Sequence, residues 1–243
     1  IKCGRCTERC PEEAITIEGS HIKIDRERCN LCMECAEVCP SGAIERVGRD
    51  GTIGELLLEI EKDRLFYSNS GGGVTISGGE PLLQWEFVLN LFKECKDRGL
   101  HTTLDTCGYA KWGILEKVLE YCDLVLYDIK HMDSLMHKKG AGVTNELILE
   151  NAEKTARMVR TWLRRPVIPN YNDSESEIRK LAEFGSNLGV EKLSLLPYHE
   201  LGVSKYESLG LSYQFKREPP TEDCLQRLKE TIESSGLEVT IGY

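Results

Sequence analysis

Cys29-Asn30-Leu31-Cys32-Met33-Glu34-Cys35-Ala36-Glu37-Val38-Cys39-Pro40 places four thiols within twelve residues, at the spacing C-x2-C-x2-C-x3-C-P. Three thiolates on so tight a loop face three corners of one cubane, while the fourth is carried off in another direction by the proline that follows it. Upstream, Cys3, Cys6 and Cys10 followed by Pro11 repeat the last three thiols and the proline. Ala14-Ile15-Thr16-Ile17 and Ala43-Ile44-Glu45-Arg46 then follow the two prolines at matching offsets, so the segment is an internal duplication. Seven of the eleven cysteines lie in the first 39 positions, leaving Cys95, Cys107, Cys122 and Cys224 elsewhere. A disulfide framework needs an oxidising compartment, and no secretory leader opens the chain. Zinc favours two separated C-x2-C pairs over a triple plus one. Iron–sulfur ligation fits best. Cys95, Cys122 and Cys224 read as small buried apolar residues.

The two runs resemble those of bacterial two-cluster ferredoxins, in which the last cysteine of each run serves the other cluster. That resemblance implies Cys10, Cys29, Cys32 and Cys35 on one 4Fe-4S cluster, and Cys3, Cys6 and Cys39 on a second that lacks one thiol here. The chain opens at Ile1 inside the first run, from which we expect a missing N-terminal portion.

After Arg46 the thiols thin out and the pattern becomes alternating helix and strand, placing a domain boundary near residue 48. An amphipathic stretch from Ile53 to Leu65 leads to Gly71-Gly72-Gly73. Strand-like runs lie at Val74–Ser77, His101–Asp105, Leu124–Asp128, Pro166–Ile168 and Leu193–Leu196. Helices are expected at Gln84–Arg98, Trp112–Tyr121, Asn145–Thr161, Ser174–Leu188 and Thr221–Ser235, with Gly99, Gly189 and Gly236 where C-caps belong. Such alternation implies a parallel sheet in an α/β fold.

Polar groups gather where these strands end: Ser77-Gly78-Gly79-Glu80, Asp105-Thr106, Asp128-Ile129-Lys130 and Pro197-Tyr198-His199, with Arg164 near the start of its strand. One aspartate after a strand is ordinarily a cap or turn residue. Three successive strands ending this way point to the ligand face of a parallel α/β protein.

Of the 243 residues 40% are hydrophobic, enough for a substantial core, and the formal charge is −9. That charge disfavours nucleic acid or an anionic membrane as partner. No run approaches the roughly 18 apolar residues that a membrane helix requires.

A duplicated thiol run followed by Thr75-Ile76-Ser77-Gly78-Gly79-Glu80-Pro81 resembles the radical S-adenosylmethionine activating enzymes of glycyl radical enzymes, and the likeness spans nearly the whole chain. It continues in order through Asp105-Thr106-Cys107-Gly108, Tyr127-Asp128-Ile129-Lys130, Arg164, Pro166-Val167-Ile168-Pro169, Asn172-Asp173, Leu196-Pro197-Tyr198-His199 and Leu201-Gly202. The resemblance implies a ferredoxin-like domain over 1–48 and, over 49–243, a partial (β/α)6 barrel. It implies an oxidoreductase that reductively cleaves S-adenosylmethionine and takes hydrogen from a backbone glycine of a partner glycyl radical enzyme. A flavodoxin or ferredoxin would supply electrons, in an anoxic cytoplasm.

By the same likeness Gly78, Gly79, Glu80, Asp105, Thr106, Asp128, Lys130, Arg164 and His199 would bind the cofactor, with Asp128, Lys130 and Arg164 nearest the chemistry. Glycines let backbone carbonyls approach an ammonium group, while Glu80 supplies charge or fixes the loop. Asp105 and Asp128 would offer oxygens to a monovalent cation. Two departures stand out. The C-x3-C-x2-C motif of the catalytic cluster does not occur in the sequence. In the family it lies upstream of the ferredoxin insertion, so the first barrel strand is expected to be missing with it and the stretch to be inactive alone. Asn170 also stands where relatives carry glycine, a position at which asparagine tolerates left-handed backbone. Two other readings remain at this point: an electron-transfer module on a non-catalytic barrel, and a radical peptide-maturation enzyme.

Overall fold

The thiol runs fold as the duplication implies. In the computed structural model, which describes residues 1–19, 21–213 and 216–242, helix α1 (Arg5–Arg9) starts after Gly4 at φ 76°, and α2 (Glu34–Glu37) starts after Met33 at φ 65°. Gly4 and Met33 are equivalent positions in the two copies, and both turn into their helices through left-handed backbone. Arg9 Nε bonds Glu34 Oε2 at 2.8 Å, joining the two helices. Between the copies, β1 (Ile15–Glu18) and β2 (His21–Ile24) form an antiparallel hairpin with Ile15 opposite Ile24. Residues 43–46, at the offset of β1 in the second copy, form no strand.

These elements belong to a unit of Ile1–Gly51 together with a segment beginning at Glu200. Arg26 Nη2 donates to the Ser208 carbonyl at 2.7 Å, tying that segment down. The sequence places this segment in the barrel. Its link to the thiol unit is invisible in sequence because the partners are 182 residues apart.

The second unit spans Thr52–His199 and the chain from Lys216 onward. Its first helix, α3 (Ile53–Glu61), opens with a capping box: Glu55 N–H donates to Thr52 Oγ1 at 3.2 Å and Thr52 N–H to Glu55 Oε2 at 2.7 Å. Two otherwise orphaned amides are thereby satisfied, which fixes the start of the unit. The elements then run α4 (Arg64–Ser70), β3 (Gly73–Ile76), a 3-10 turn (Pro81–Gln84), α5 (Trp85–Asp97), β4 (His101–Thr106), α6 (Trp112–Leu119), β5 (Leu124–Asp128), α7 (Ser134–Ala141), α8 (Glu146–Met158), β6 (Arg160–Val167), α9 (Glu175–Leu188) and β7 (Lys192–Pro197). Helix α10 (Val203–Ser208) lies in the other unit, and α11 (Glu222–Glu233) and β8 (Glu238–Ile241) complete this one.

The six strands β3 to β8 pair in sequence order, all parallel. Right-handed crossovers taken always in one direction put every helix on one face and leave the other as a concave interior. The burial pattern agrees. On the helix side Leu104, Val125, Tyr127, Leu163, Val167, Leu193 and Leu195 are fully buried. The opposite side carries Asp105, Leu126, Asp128, Trp162, Arg164 and Leu196, all only partly buried. Tyr127, though fully buried, donates its hydroxyl to the Ile148 carbonyl at 2.7 Å.

Strand β6 corrects one expectation. It begins at Arg160, six residues before Pro166, and α8 ends at Met158 rather than Thr161. Arg164 and Arg165 interrupt the apolar alternation, yet both are strand residues facing opposite sides. The expected C-cap glycines hold, with φ of +68° at Gly99, +70° at Gly189 and +82° at Gly236. Among the described residues no helix is long and apolar enough to cross a membrane.

Candidate functional site

In the thiol unit, a cavity of about 990 Å³ is lined by Cys10, Cys29, Cys32 and Cys35. A smaller one of about 100 Å³ is lined by Cys3, Cys6 and Cys39. The last thiol of each run thus sits with the other run's set, four with three. Among the described residues no three His, Cys, Asp or Glu side chains gather about one point as a single ion requires. The thiols line two separate spaces instead.

Local backbone chemistry suits that donor set. Leu31 (φ 60°) and Met33 (φ 65°) flank Cys32 in left-handed conformation, which non-glycine residues seldom adopt, and the Cys32 N–H donates to Asn30 Oδ1 at 3.0 Å. The Ile44 backbone N–H, outweighing burial and helped by Ser41, pulls the Cys39 thiol down to about 7. Ala14 N–H donates to Cys10 Sγ at 3.3 Å, and its counterpart in the second copy, the Ala43 N–H, also helps to lower the Cys39 thiol. Hydrogen bonds of this kind stabilise a thiolate, the form that binds iron.

In the parallel-sheet unit, β4, β5 and β6 bring three charges together on the interior face. Arg164 Nε donates to Asp128 Oδ1 at 2.8 Å, and Arg164 Nη2 bonds Asp105 Oδ1. The side chains are 12%, 17% and 15% exposed for Arg164, Asp128 and Asp105, so solvent screens the pairs only partly. Ser77 Oγ, at the end of β3, donates to Asp105 Oδ2 at 2.7 Å. Burial pushes the Asp128 carboxyl above the usual aspartate range, against the opposing pull of Arg164 and Lys130 and with some help from Asp105. For Arg164 burial works against the charge, but Asp128 and Asp105 together outweigh it and hold the guanidinium above its ordinary value.

The loop after β3 is open. Gly78 (φ +131°) and Gly79 are exposed, and a Cβ at either would meet no atom within 4 Å. The backbone there is bare and approachable, and at Gly78 the conformation excludes other residues. Glu80, in contrast, is spent inside the loop. Its Oε1 accepts from Thr106 Oγ1 (2.6 Å) and Leu82 N (3.2 Å), and its Oε2 from Cys107 N and Sγ (both 3.0 Å). Of the two roles open to Glu80, fixing the loop is the one its partners support. Thr106, 2% exposed, also accepts from Gly108 N at 2.9 Å, so it too braces the loop. His199 is exposed just beyond β7.

Sequence reasoning did not single out Ser77 for the charge cluster, although its place before Gly78-Gly79 at a strand end was a usable signal. The Cys107 thiol is one of the groups that donate to Glu80. Burial, and then the Glu80 carboxylate, push that thiol up to about 11, so it is a protonated donor.

The chain matches the family model described as the radical SAM superfamily over residues 26–183, and that described as a 4Fe-4S dicluster domain over residues 1–43. It is 45% identical to an isethionate sulfite-lyase activating enzyme of Oleidesulfovibrio alaskensis, over 86% of this chain and 69% of that protein. It is 42% identical to a (2S)-3-sulfopropanediol dehydratase activating enzyme of Klebsiella oxytoca, over 99% of this chain and 79% of that one. Among solved structures, a domain of a pyruvate-formate lyase-activating enzyme from Bacteroides vulgatus superposes with a TM-score of 0.61 at 35% identity, covering 71% of this chain and 99% of that one.

Proposed function

We propose, since the chain belongs to the radical SAM superfamily and within it to the activating enzymes of glycyl radical enzymes, that its charge cluster and open glycine loop grip S-adenosylmethionine while its crossed thiols hold auxiliary 4Fe-4S clusters. When bound, the sulfonium cofactor supplies, on reductive cleavage, the species that takes a hydrogen atom from a backbone glycine of the partner enzyme.

The chain's own residues have separable tasks. Arg164, clamped between Asp105 and Asp128, presents a fixed cation on the interior face, suited to the methionine carboxylate. Lys130 adds a second positive charge near Asp128 and would meet the same carboxylate. Carbonyls of Gly78 and Gly79 are free to accept from the methionine ammonium, and Glu80 with Thr106 keeps that loop still. A monovalent cation at Asp105 and Asp128 would share both carboxylates with Arg164. His199, beyond the next strand but one, would close the site from the side of β7. In the thiol unit Cys10, Cys29, Cys32 and Cys35 would hold one cluster and Cys3, Cys6 and Cys39 the other. The relatives named above activate a sulfite-lyase and a dehydratase, which supports a glycyl radical enzyme as partner here, with a flavodoxin or ferredoxin as electron donor. Free thiols in such number suit a reducing, anoxic cytoplasm.

The observation that carries this reading is Arg164 held by two carboxylates from neighbouring strands on the partly buried interior face. Asp128→Ala releases one side of that clamp. In a complete enzyme that carries the catalytic-cluster motif, iron-loaded and chemically reduced under anoxic conditions, the variant is expected to form 5′-deoxyadenosine at least about 100-fold more slowly, the scale of losing one preorganised electrostatic contact in a dry site. Undiminished 5′-deoxyadenosine overturns the assignment.

A further inference from the structure

The loop that carries Lys130 is gripped from behind the sheet by side chains with no access to the interior face. Ile129, fully buried, donates its N–H to the Arg164 carbonyl at 3.0 Å. The Lys130 carbonyl accepts two donors, Asn172 Nδ2 at 2.8 Å and Arg165 Nη1 at 2.9 Å. Asn172 and Arg165 are both 0% exposed. The second Asn172 Nδ2 proton goes to the Pro166 carbonyl at 2.7 Å, and Oδ1 accepts from Ile168 N at 2.7 Å. One amide group therefore ties the end of β5 to the end of β6 with its two donors and its acceptor all engaged.

The next residues are held as firmly. Glu177 Oε1 accepts from Met132 N at 2.5 Å and from Arg165 Nη1 at 3.1 Å. Asn145 Nδ2 donates to the His131 and Met132 carbonyls, both at 2.9 Å. Arg165 Nε and Nη2 are buried without a partner, whereas the Asn172 amide, with every donor and acceptor engaged, holds one geometry, and a charged group displaced by about 1 Å loses most of its use.

We infer that Asn172 is a positioning residue: by clasping the Lys130 carbonyl against the ends of β5 and β6, it sets where the Lys130 ammonium meets the carboxylate of S-adenosylmethionine. This rests on the proposed contact between Lys130 and that cofactor. Asn172 itself touches neither cofactor nor partner.

The test is equilibrium binding of S-adenosylmethionine to a complete enzyme that carries the catalytic-cluster motif, iron-loaded and unreduced, where no cleavage occurs, for wild type, Lys130→Ala, Asn172→Ala and the double variant. Thermal melting of each verifies folding. Lys130→Ala should weaken binding about tenfold or more, the range for a hydrogen bond to a charged group. Asn172→Ala should weaken it severalfold, and the double variant should bind like Lys130→Ala alone, because the effect of Asn172 runs through Lys130. A general structural defect would instead add to the Lys130→Ala loss, and additivity overturns the inference. So does a folded Asn172→Ala that binds like wild type. Wild-type binding by Lys130→Ala sinks the proposed cofactor contact itself, and the inference with it, by a different curve. If Asn172→Ala does not fold, Asn172→Asp keeps the acceptor for Ile168 N–H, removes the donors, and is read in the same cycle.

Discussion

Cys107 shows how much one side chain in this site depends on its surroundings. Its thiol, raised to about 11 by burial and by Glu80, keeps its proton across the neutral range. An unfolded thiol ionises near its ordinary 9.0, so between about 9 and 11 the unfolded chain releases a proton that the folded chain retains. Stability from this group is therefore complete below that window and falls as pH rises through it. Iodoacetamide, which needs the thiolate, should label Cys107 slowly at pH 8 and accelerate only as pH nears 11; rapid labelling at pH 8 would contradict the Glu80 contact. The charged members of the site were legible in the sequence because aspartates at the ends of parallel strands lie on one rim. Only the fold chooses between the two roles, charge and brace, open to Glu80. Its partners Thr106 and Cys107 stand 26 and 27 positions away and meet it only once β3 and β4 lie side by side.

At the scale of elements, the turn after β6 carries a clear test. Asn170 sits at φ +61°, in the left-handed backbone expected where relatives have glycine, and its N–H donates to Asp173 Oδ1 at 2.9 Å. Asn170→Gly should be nearly neutral, whereas Asn170→Val should cost about 1–2 kcal/mol, the price of a left-handed conformation for a branched side chain; denaturant unfolding of the iron-loaded protein measures both. The sheet was readable wherever a strand was a short β-branched or apolar run, as at β4 and β5. Strand β6 was only half readable, since Arg165 occupies a helix-facing core position that polarity argues against. A buried arginine is acceptable there because Glu177, one layer out on α9, lies 3.1 Å from it. Ser174 opens α9 by accepting from Glu177 N at 3.3 Å, and Ser174→Ala should lower stability by about 1 kcal/mol.

At the scale of the molecule, the two units hold themselves together by different means. The sheet unit has a continuous core from Leu82 to Val239. Among the described residues of 1–51 the buried apolar side chains are Cys6, Ala14 and Ile15, far too few to offset chain entropy. Small domains in that position draw folding energy from metal binding. Removing iron with a chelator should therefore open residues 1–51 to protease while the sheet unit stays resistant; equal resistance before and after would show that the thiol unit needs no metal. The crossing of the thiols sharpens this dependence. Cys10 lines the space of Cys29, Cys32 and Cys35, and Cys39 that of Cys3 and Cys6, so each half of the repeat carries the clasp for the other. Cut between the halves, neither necklace fastens, and a single half could close its ring only by borrowing the last thiol from a second copy.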